Sequence, residues 1–244
     1  MYQVVTLSVG QRLGRPTRLI AGESFEQLQS GDVDFAFLCG YPYVRLKSEN
    51  MPGLEAIAAP VVEGDRYRGR PVYFSDVIVS SDSSATSLED LRGCTWAYNE
   101  PDSHSGYLVT LYRLLEMGES AAFFSRWEQT GFHQRSIRLV AEGKVDASAI
   151  DSHVLAMELR ERPELEARIR VIDTLGPSTI QPLVAMEAVE PRLRRTVTEI
   201  VIAIAREQLE WGLVERFVAV EDSAYDDIRA MLKAVRSAGL AAGS

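Results

Sequence analysis

Apolar positions along this chain fall into two alternating patterns, short unbroken runs and runs at helical spacing. Val5, Val9 and Leu13 predict a helix over residues 2–13, stopped by Gly14 and Pro16. Residues 17–21 read as a strand and 24–28 as a short helix closed by Ser30 and Gly31. A strand-rich run over 33–38 leads into a loop at 40–43 and a helical turn at 44–47. Further strands are predicted at 54–58 and 72–79, with a polar turn at 64–69 between them.

The second half repeats the alternation. A capped helix at 87–91 precedes Gly93, and 94–98 is a short buried strand. Leu108, Leu111, Tyr112 and Leu115 then mark an amphipathic helix ending near Gly118. Residues 120–127 read as a helix start or loop, 133–142 as a helix, 145–150 as a strand, and 152–162 as a helix ended by Pro163. Strands follow at 168–172 and 182–186. From Pro191 the pattern is helical to the end, with Val197, Ile200, Val201 and Ile204 on one face and a second helix over 225–238. Such alternation predicts an α/β fold with mostly parallel sheets, helices on both faces, and ligands at the carboxyl ends of strands.

Composition narrows the function. Of 244 residues, 46% are apolar and 25% charged, as in a globular chain. The net charge of −9 excludes nucleic acid as the main partner, because phosphate backbones need a basic surface. It leaves room for a small anion held by local N–H groups. Cys39 and Cys94 read as buried free thiols, and without a His/Cys cluster they make no metal site. No apolar run is long enough to insert in a membrane. As written, the chain shows no signal peptide, which implies a cytoplasmic protein or a mature form whose export signal has been removed.

The stretch with the most chemistry runs from Asn99 to Val109. Between strand and helix it carries Ser103, Ser105 and Gly106, either serine being a possible N-cap. A helix start offers unpaired N–H groups and the positive dipole end, so hydroxyls placed there can share in gripping an oxyanion. The alternative is an ordinary capped helix. The three histidines (His104, His133, His153) and two cysteines show no nucleophile–base pairing by motif, which argues against an enzyme and implies no cofactor.

Three stretches together resemble one family: the phosphate/phosphonate-binding subunits of ABC importers, with the periplasmic-binding-protein type 2 fold. They are Gly31-Asp-Val-Asp-Phe-Ala-Phe-Leu-Cys-Gly-Tyr-Pro-Tyr43, then Ser87-Leu-Glu-Asp-Leu-Arg-Gly93 with the Ser103-His-Ser-Gly-Tyr107 segment after it, and Leu139-Val-Ala-Glu-Gly-Lys-Val-Asp-Ala-Ser-Ala-Ile-Asp-Ser152. The resemblance implies two α/β lobes, residues 1–77 with 180–244 and residues 80–175. Crossovers are expected near 75–80 and 174–182. It further implies a ligand in a cleft that closes by a hinge, with an ABC permease as partner. The location would be periplasmic if the true N-terminus carries a signal. A cytoplasmic sensor of the same fold is the alternative, and an enzyme on that fold a remoter one.

The same resemblance carries roles to particular positions. Ser103, Ser105 and the N–H groups from His104 to Tyr107 hold a tetrahedral oxyanion. His104 stands where the family usually has Thr; protonated, it would add a charge-assisted contact to a dianion, and otherwise it is a solvent-facing loop residue. Tyr41, Tyr43 and Tyr73 become cleft aromatics, with packing under the loop the alternative, more so for Tyr43 than Tyr41. Asp151 meets the non-anionic end of the ligand or caps the helix that follows. His133 and Gln134 open a helix where some relatives place Glu for a ligand amine; Gln134 carries no charge, which argues against an aminophosphonate, and His153 reads as a helix-surface residue. Family members also have a strand ahead of the first helix. Here the chain opens inside that helix, so either the true start lies upstream or the strand is lost.

Overall fold

The structure is a computed structural model that describes residues 1–22 and 24–240. In chain order the main elements are α1 (Tyr2–Leu13), β1 (Phe35–Phe37), α2 (Gly40–Glu49), β2 (Glu55–Val62), β3 (Val72–Ser80), β4 (Thr95–Tyr98) and α3 (Val109–Glu116). They continue with β5 (Arg126–Gln129), α4 (His133–Ala141), β6 (Ala147–Asp151), α5 (Ser152–Glu161), β7 (Ile169–Thr179) and β8 (Leu183–Ala185). The last are α6 (Pro191–Ile202), α7 (Arg206–Leu209), β9 (Val214–Ala219) and α8 (Asp226–Ser237). Two compact units form. Unit 1 is Met1–Val72 with Thr179–Asp226, and unit 2 is Tyr73–Ser178 with the chain from Asp227 onward.

Unit 1 holds a four-stranded sheet in the order β1-β8-β2-β9. Its core joins Val5 and Val9 of α1, Ile57 and Ala58 of β2, Val197, Ile200 and Val201 of α6, and Val214 and Phe217 of β9. The helical spacing of Val5 and Val9 is therefore what docks α1, and Gly14 ends it in the left-handed conformation at φ 61°. Residues 40–43, expected as a loop, open α2 instead. Pro42 is tolerated there because the N–H groups of a first turn have no intrahelical acceptor to lose.

Residues 17–21 form no strand. Thr17 is tied to α1, its Oγ1 donating to the Thr6 carbonyl at 2.8 Å, while Leu19 and Ile20 are each 44% exposed. Strand propensity needs a partner ladder, and β1, at the sheet edge, pairs only with β8 among the described residues.

Unit 2 holds a five-stranded sheet in the order β5-β4-β6-β3-β7, packed on both faces. Val77 and Val79 of β3 and Ala147 and Ala149 of β6 face α3, Trp96 and Phe124; Ile78 and Ile150 face α4 and α5. That two-sided burial is why the central strands read as unbroken apolar runs. Trp96 is fully buried and stacks on Phe124 at 4.5 Å between ring centroids.

Strand direction corrects one expectation. β4 pairs in parallel with β5 and with β6, while the β3–β6, β1–β8, β2–β8 and β2–β9 pairs are antiparallel. The sheets are mixed rather than mostly parallel, because β8 and β9 return to unit 1 after the excursion through unit 2. The region after Pro191 is likewise not helical to the end. β9 lies within it, with Val214 and Phe217 buried against β2, and edge strand β5 occupies part of 120–127. Helix α8, expected with the first lobe, groups with unit 2.

Candidate functional site

Three neighbouring strands of unit 2, β5, β4 and β6, run in the same direction, so their carboxyl ends lie along one edge of the sheet. A helix begins after each. His133 opens α4, Asp151 caps α5, and a π-helical turn at His104–Leu108 precedes α3. Three helix starts along one edge concentrate unpaired N–H groups and positive dipole ends there.

The π turn is built by Ser103. Its backbone is extended (φ −79°, ψ 131°), its Oγ accepts from the Gly106 N–H at 3.1 Å, and its carbonyl accepts from the Leu108 N–H at 3.0 Å. Ser103 is thus the N-cap. The N–H groups of His104 and Ser105 have no hydrogen-bond partner among the described residues. They are the free donors of this helix start.

The side chains around the turn are largely buried. Ser105 Oγ lies 2.8 Å from His133 Nε2. If the imidazole Nε2 donates, the serine hydroxyl proton is left for an external acceptor; if the serine donates, it is not. His133 Nδ1 has no partner among the described residues, and burial lowers the histidine pKa to about 4, so the ring is neutral at pH 7. Gly106 fits closely beside this pair: a Cβ there would stand 2.2 Å from Asn99 Oδ1 and 3.3 Å from His133 Cε1. Asn99 Oδ1 is itself buried with no hydrogen-bond partner among the described residues.

His104 is fully buried, not solvent-facing. Its Nε2 lies 2.8 Å from Ser178 Oγ, and its ring meets Tyr73 edge-on at 6.1 Å. Burial takes its pKa down to about 3. With no anion beside it the ring is therefore neutral at pH 7. What His104 can offer a ligand is its backbone N–H.

Asp151 ends β6 and accepts on Oδ1 from the N–H groups of His153 at 2.8 Å and Val154 at 3.3 Å. Burial pushes its carboxyl pKa up; His153 and the two N–H donors pull it down, and Asp76 adds to the rise. His153, read as a helix-surface residue, is buried instead. Tyr73 is buried on β3. Tyr41 sits half-buried near the start of α2 in unit 1. Tyr43 packs inside unit 1, edge-on to Tyr225 at 4.9 Å, with its hydroxyl donating to Asp222 at 2.5 Å. A surface cavity of about 280 Å³ in unit 2, lined by Tyr112, Arg113, Asp173 and Met231 among others, contains none of Ser103, Ser105, His133 or Asp151.

Unit 2 therefore brings together Tyr73, Ser103, His104, Ser105, Gly106 and Asp151 of the expected residues. His133, Asn99 and Ser178 were not among them. Each is held to the turn only through space, 28 residues from Ser105 in the first case and 74 from His104 in the last. Ser105 with His133 forms half of a nucleophile–base arrangement, but no group among the described residues orients Nδ1, and a ring with a pKa about 4 is a weak base.

A sequence profile of the family described as "ABC transporter, phosphonate, periplasmic substrate-binding protein" matches residues 1–239. The phosphonates-binding periplasmic protein of Escherichia coli (strain K12) is 31% identical over 109 residues, covering 43% of this chain and 32% of that protein. The match thus spans about a third of the length of that relative. Among solved structures, a binding protein component of an ABC phosphonate transporter from Pseudomonas aeruginosa superposes with a TM-score of 0.84 at 20% identity, over 97% of this chain and 82% of that one. PhnD1 from Prochlorococcus marinus (MIT 9301), solved in complex with methylphosphonate, gives 0.84 at 17% identity, over 96% and 92%. At such identities the superpositions establish the fold.

Proposed function

Because this chain belongs to the phosphonate family of periplasmic substrate-binding proteins of ABC transporters, we propose that it captures a small tetrahedral oxyanion of the phosphonate or phosphate class and delivers it to an ABC permease. The observation that carries the reading is that the N–H groups of His104 and Ser105, set between the Ser103 and Ser105 hydroxyls at a buried helix start, have no hydrogen-bond partner among the described residues. Hydroxyls and amides bind such an anion without the cost of burying a cation. The neutral state of His104 and His133 means the anion's charge is met by dipoles and hydrogen-bond donors.

Asp151 keeps its second carboxylate oxygen outside the cap bonds; in this reading that oxygen accepts from a donor-bearing substituent of the ligand. Tyr73, and Tyr41 from unit 1, are carried as further ligand residues on the strength of the resemblance. No bond is made or broken in this role; the ligand works by favouring one of two states of the protein.

Thermal shift with methylphosphonate, phosphate, phosphite and methanesulfonate tests the proposal. A ligand at about 100 times its Kd adds roughly 2.7 kcal/mol of stability. A rise in Tm with the phosphonate or phosphate that Ser105→Ala removes is the expected result. No rise with any of the four at millimolar concentration would end the reading.

A further inference from the structure

Phe132 is the N-cap of α4, one residue before His133. Its side chain is 70% exposed, and its ring meets no other ring or cation among the described residues. In unit 2 one other large apolar side chain among the described residues is exposed, Val171. That residue lies on β7, at the opposite edge of the sheet from β5. Phe132 therefore stands apart as an uncovered aromatic at the same row of helix starts that holds the Ser103–Gly106 turn.

The residue type works against the helix it begins. N-cap positions favour Ser, Thr, Asp and Asn, whose side-chain oxygen accepts from an N–H of the first turn. Phenylalanine gives up that bond, and α4 has no side-chain cap. Nor does the ring return packing energy, since most of it faces water. Local rules broken without a structural return are expected at functional positions. The backbone beneath the ring, by contrast, is firmly held. Thr130 N–H donates to the Tyr98 carbonyl and Gly131 N–H to the Asn99 carbonyl, both at 2.8 Å. The Phe132 carbonyl accepts from the N–H groups of Arg135 at 3.0 Å and Ser136 at 3.2 Å. One peptide further on, His133 reaches Ser105 Oγ at 2.8 Å.

We propose that Phe132 determines specificity, its ring lying against a ring-bearing, apolar substituent of an organophosphonate whose anionic head is held at the Ser103–Gly106 turn. The proposal rests on the oxyanion reading of the turn and adds the class of substituent. A free aromatic face on a fixed backbone gives apolar contact at little ordering cost. Inorganic phosphate and methylphosphonate carry no group large enough to use it. The donors at the turn recognise the head that all these ligands share, so the ring is what separates them.

Isothermal titration calorimetry of the whole chain with phenylphosphonate and methylphosphonate, at a pH where both carry the same charge, tests this. Wild type is expected to bind phenylphosphonate about tenfold more tightly than methylphosphonate, the size of one aromatic contact with its buried area. Phe132→Ala should abolish that preference and leave methylphosphonate affinity unchanged, whereas Phe132→Tyr, which keeps the ring, should retain it. Phe132→Ser supplies a capping oxygen, so it should raise Tm while losing the preference, which separates lost recognition from lost folding. Methylphosphonate bound as tightly as phenylphosphonate in wild type, or more tightly, would overturn the proposal and leave the oxyanion reading standing. Equal losses for the two probes in Phe132→Ala would overturn it as well. Binding of neither probe to wild type defeats the oxyanion reading itself, and the role of Phe132 falls with it.

Discussion

Ser105 Oγ and His133 Nε2 stand 2.8 Å apart, across 28 residues of chain, at the starts of two different helices. The imidazole has no other hydrogen-bond partner among the described residues, so its one polar task is to set the orientation of the Ser105 hydroxyl.

Removing either member should therefore weaken ligand binding through the same hydroxyl. A hydrogen bond to a charged acceptor contributes about 1.5–3 kcal/mol, so Ser105→Ala should cost roughly 10- to 100-fold in affinity for methylphosphonate. His133→Ala, which frees the hydroxyl without deleting it, should cost less, and the double variant no more than Ser105→Ala alone. Isothermal titration calorimetry decides this. Wild-type affinity in Ser105→Ala would remove the serine from the site.

Gly106 is required by space, not by backbone angle. A methyl group there meets Asn99 Oδ1 at 2.2 Å and crowds His133, so Gly106→Ala must displace one of them. The expected loss is about 1–3 kcal/mol of stability, the usual cost of overpacking, together with a drop in probe affinity as the Ser105–His133 bond is disturbed. Urea unfolding and calorimetry on the same sample measure both.

Acid should destabilise the protein through His104 and His133. Their folded-state pKa values, about 3 and about 4, lie below the unfolded value near 6.5, so the unfolded chain binds more protons in between. Stability is then full above pH 6.5 and falls as pH drops toward 4, by about 1.4 kcal/mol per pH unit for each histidine. Asp151 works the opposite way, since its raised pKa favours the folded state at low pH and is lost as pH rises through the folded value. Urea midpoints at pH 7.5, 5.5 and 4.5 test the balance. Affinity for methylphosphonate, corrected for the probe's own ionisation, should stay flat from pH 5.5 to 8. A rise on acidification would mean that a histidine is gaining charge in the site.

At Asp151 the cap and the charge can be separated. Asp151→Ala removes an N-cap and should cost about 1 kcal/mol, whereas Asn keeps the cap. Because burial disfavours the ionised carboxylate, Asp151→Asn should be at least as stable as wild type. If the free carboxylate oxygen meets a ligand substituent, Asp151→Asn weakens aminomethylphosphonate more than methylphosphonate. Equal losses for the two would confine Asp151 to capping.

Much of this was legible along the chain. The stripe from Leu108 to Leu115 marks α3, and the Ser-rich stretch ahead of it marks the helix start where the open donors lie. Those signals are local, carried by residues within one or two turns. Residues 17–21 show where local signals mislead, since their composition asks for a strand but no ladder partner exists among the described residues. Strand β9 shows the reverse: its alternation is interrupted and edge-like, and only pairing with β2 makes it a strand.

By itself the sequence determined the α/β alternation, the position of the Ser103–Gly106 helix start, and through its ordered motifs the family. These depend on hydrophobic period, capping chemistry and spacing, which are written residue by residue. Only the tertiary structure decided that His104 is buried against Ser178 rather than facing solvent, that His133 stands beside Ser105, and that Asp151 caps α5. Those roles depend on burial and on partners far away in the chain, and neither quantity exists until the strands have paired and the helices have closed over them.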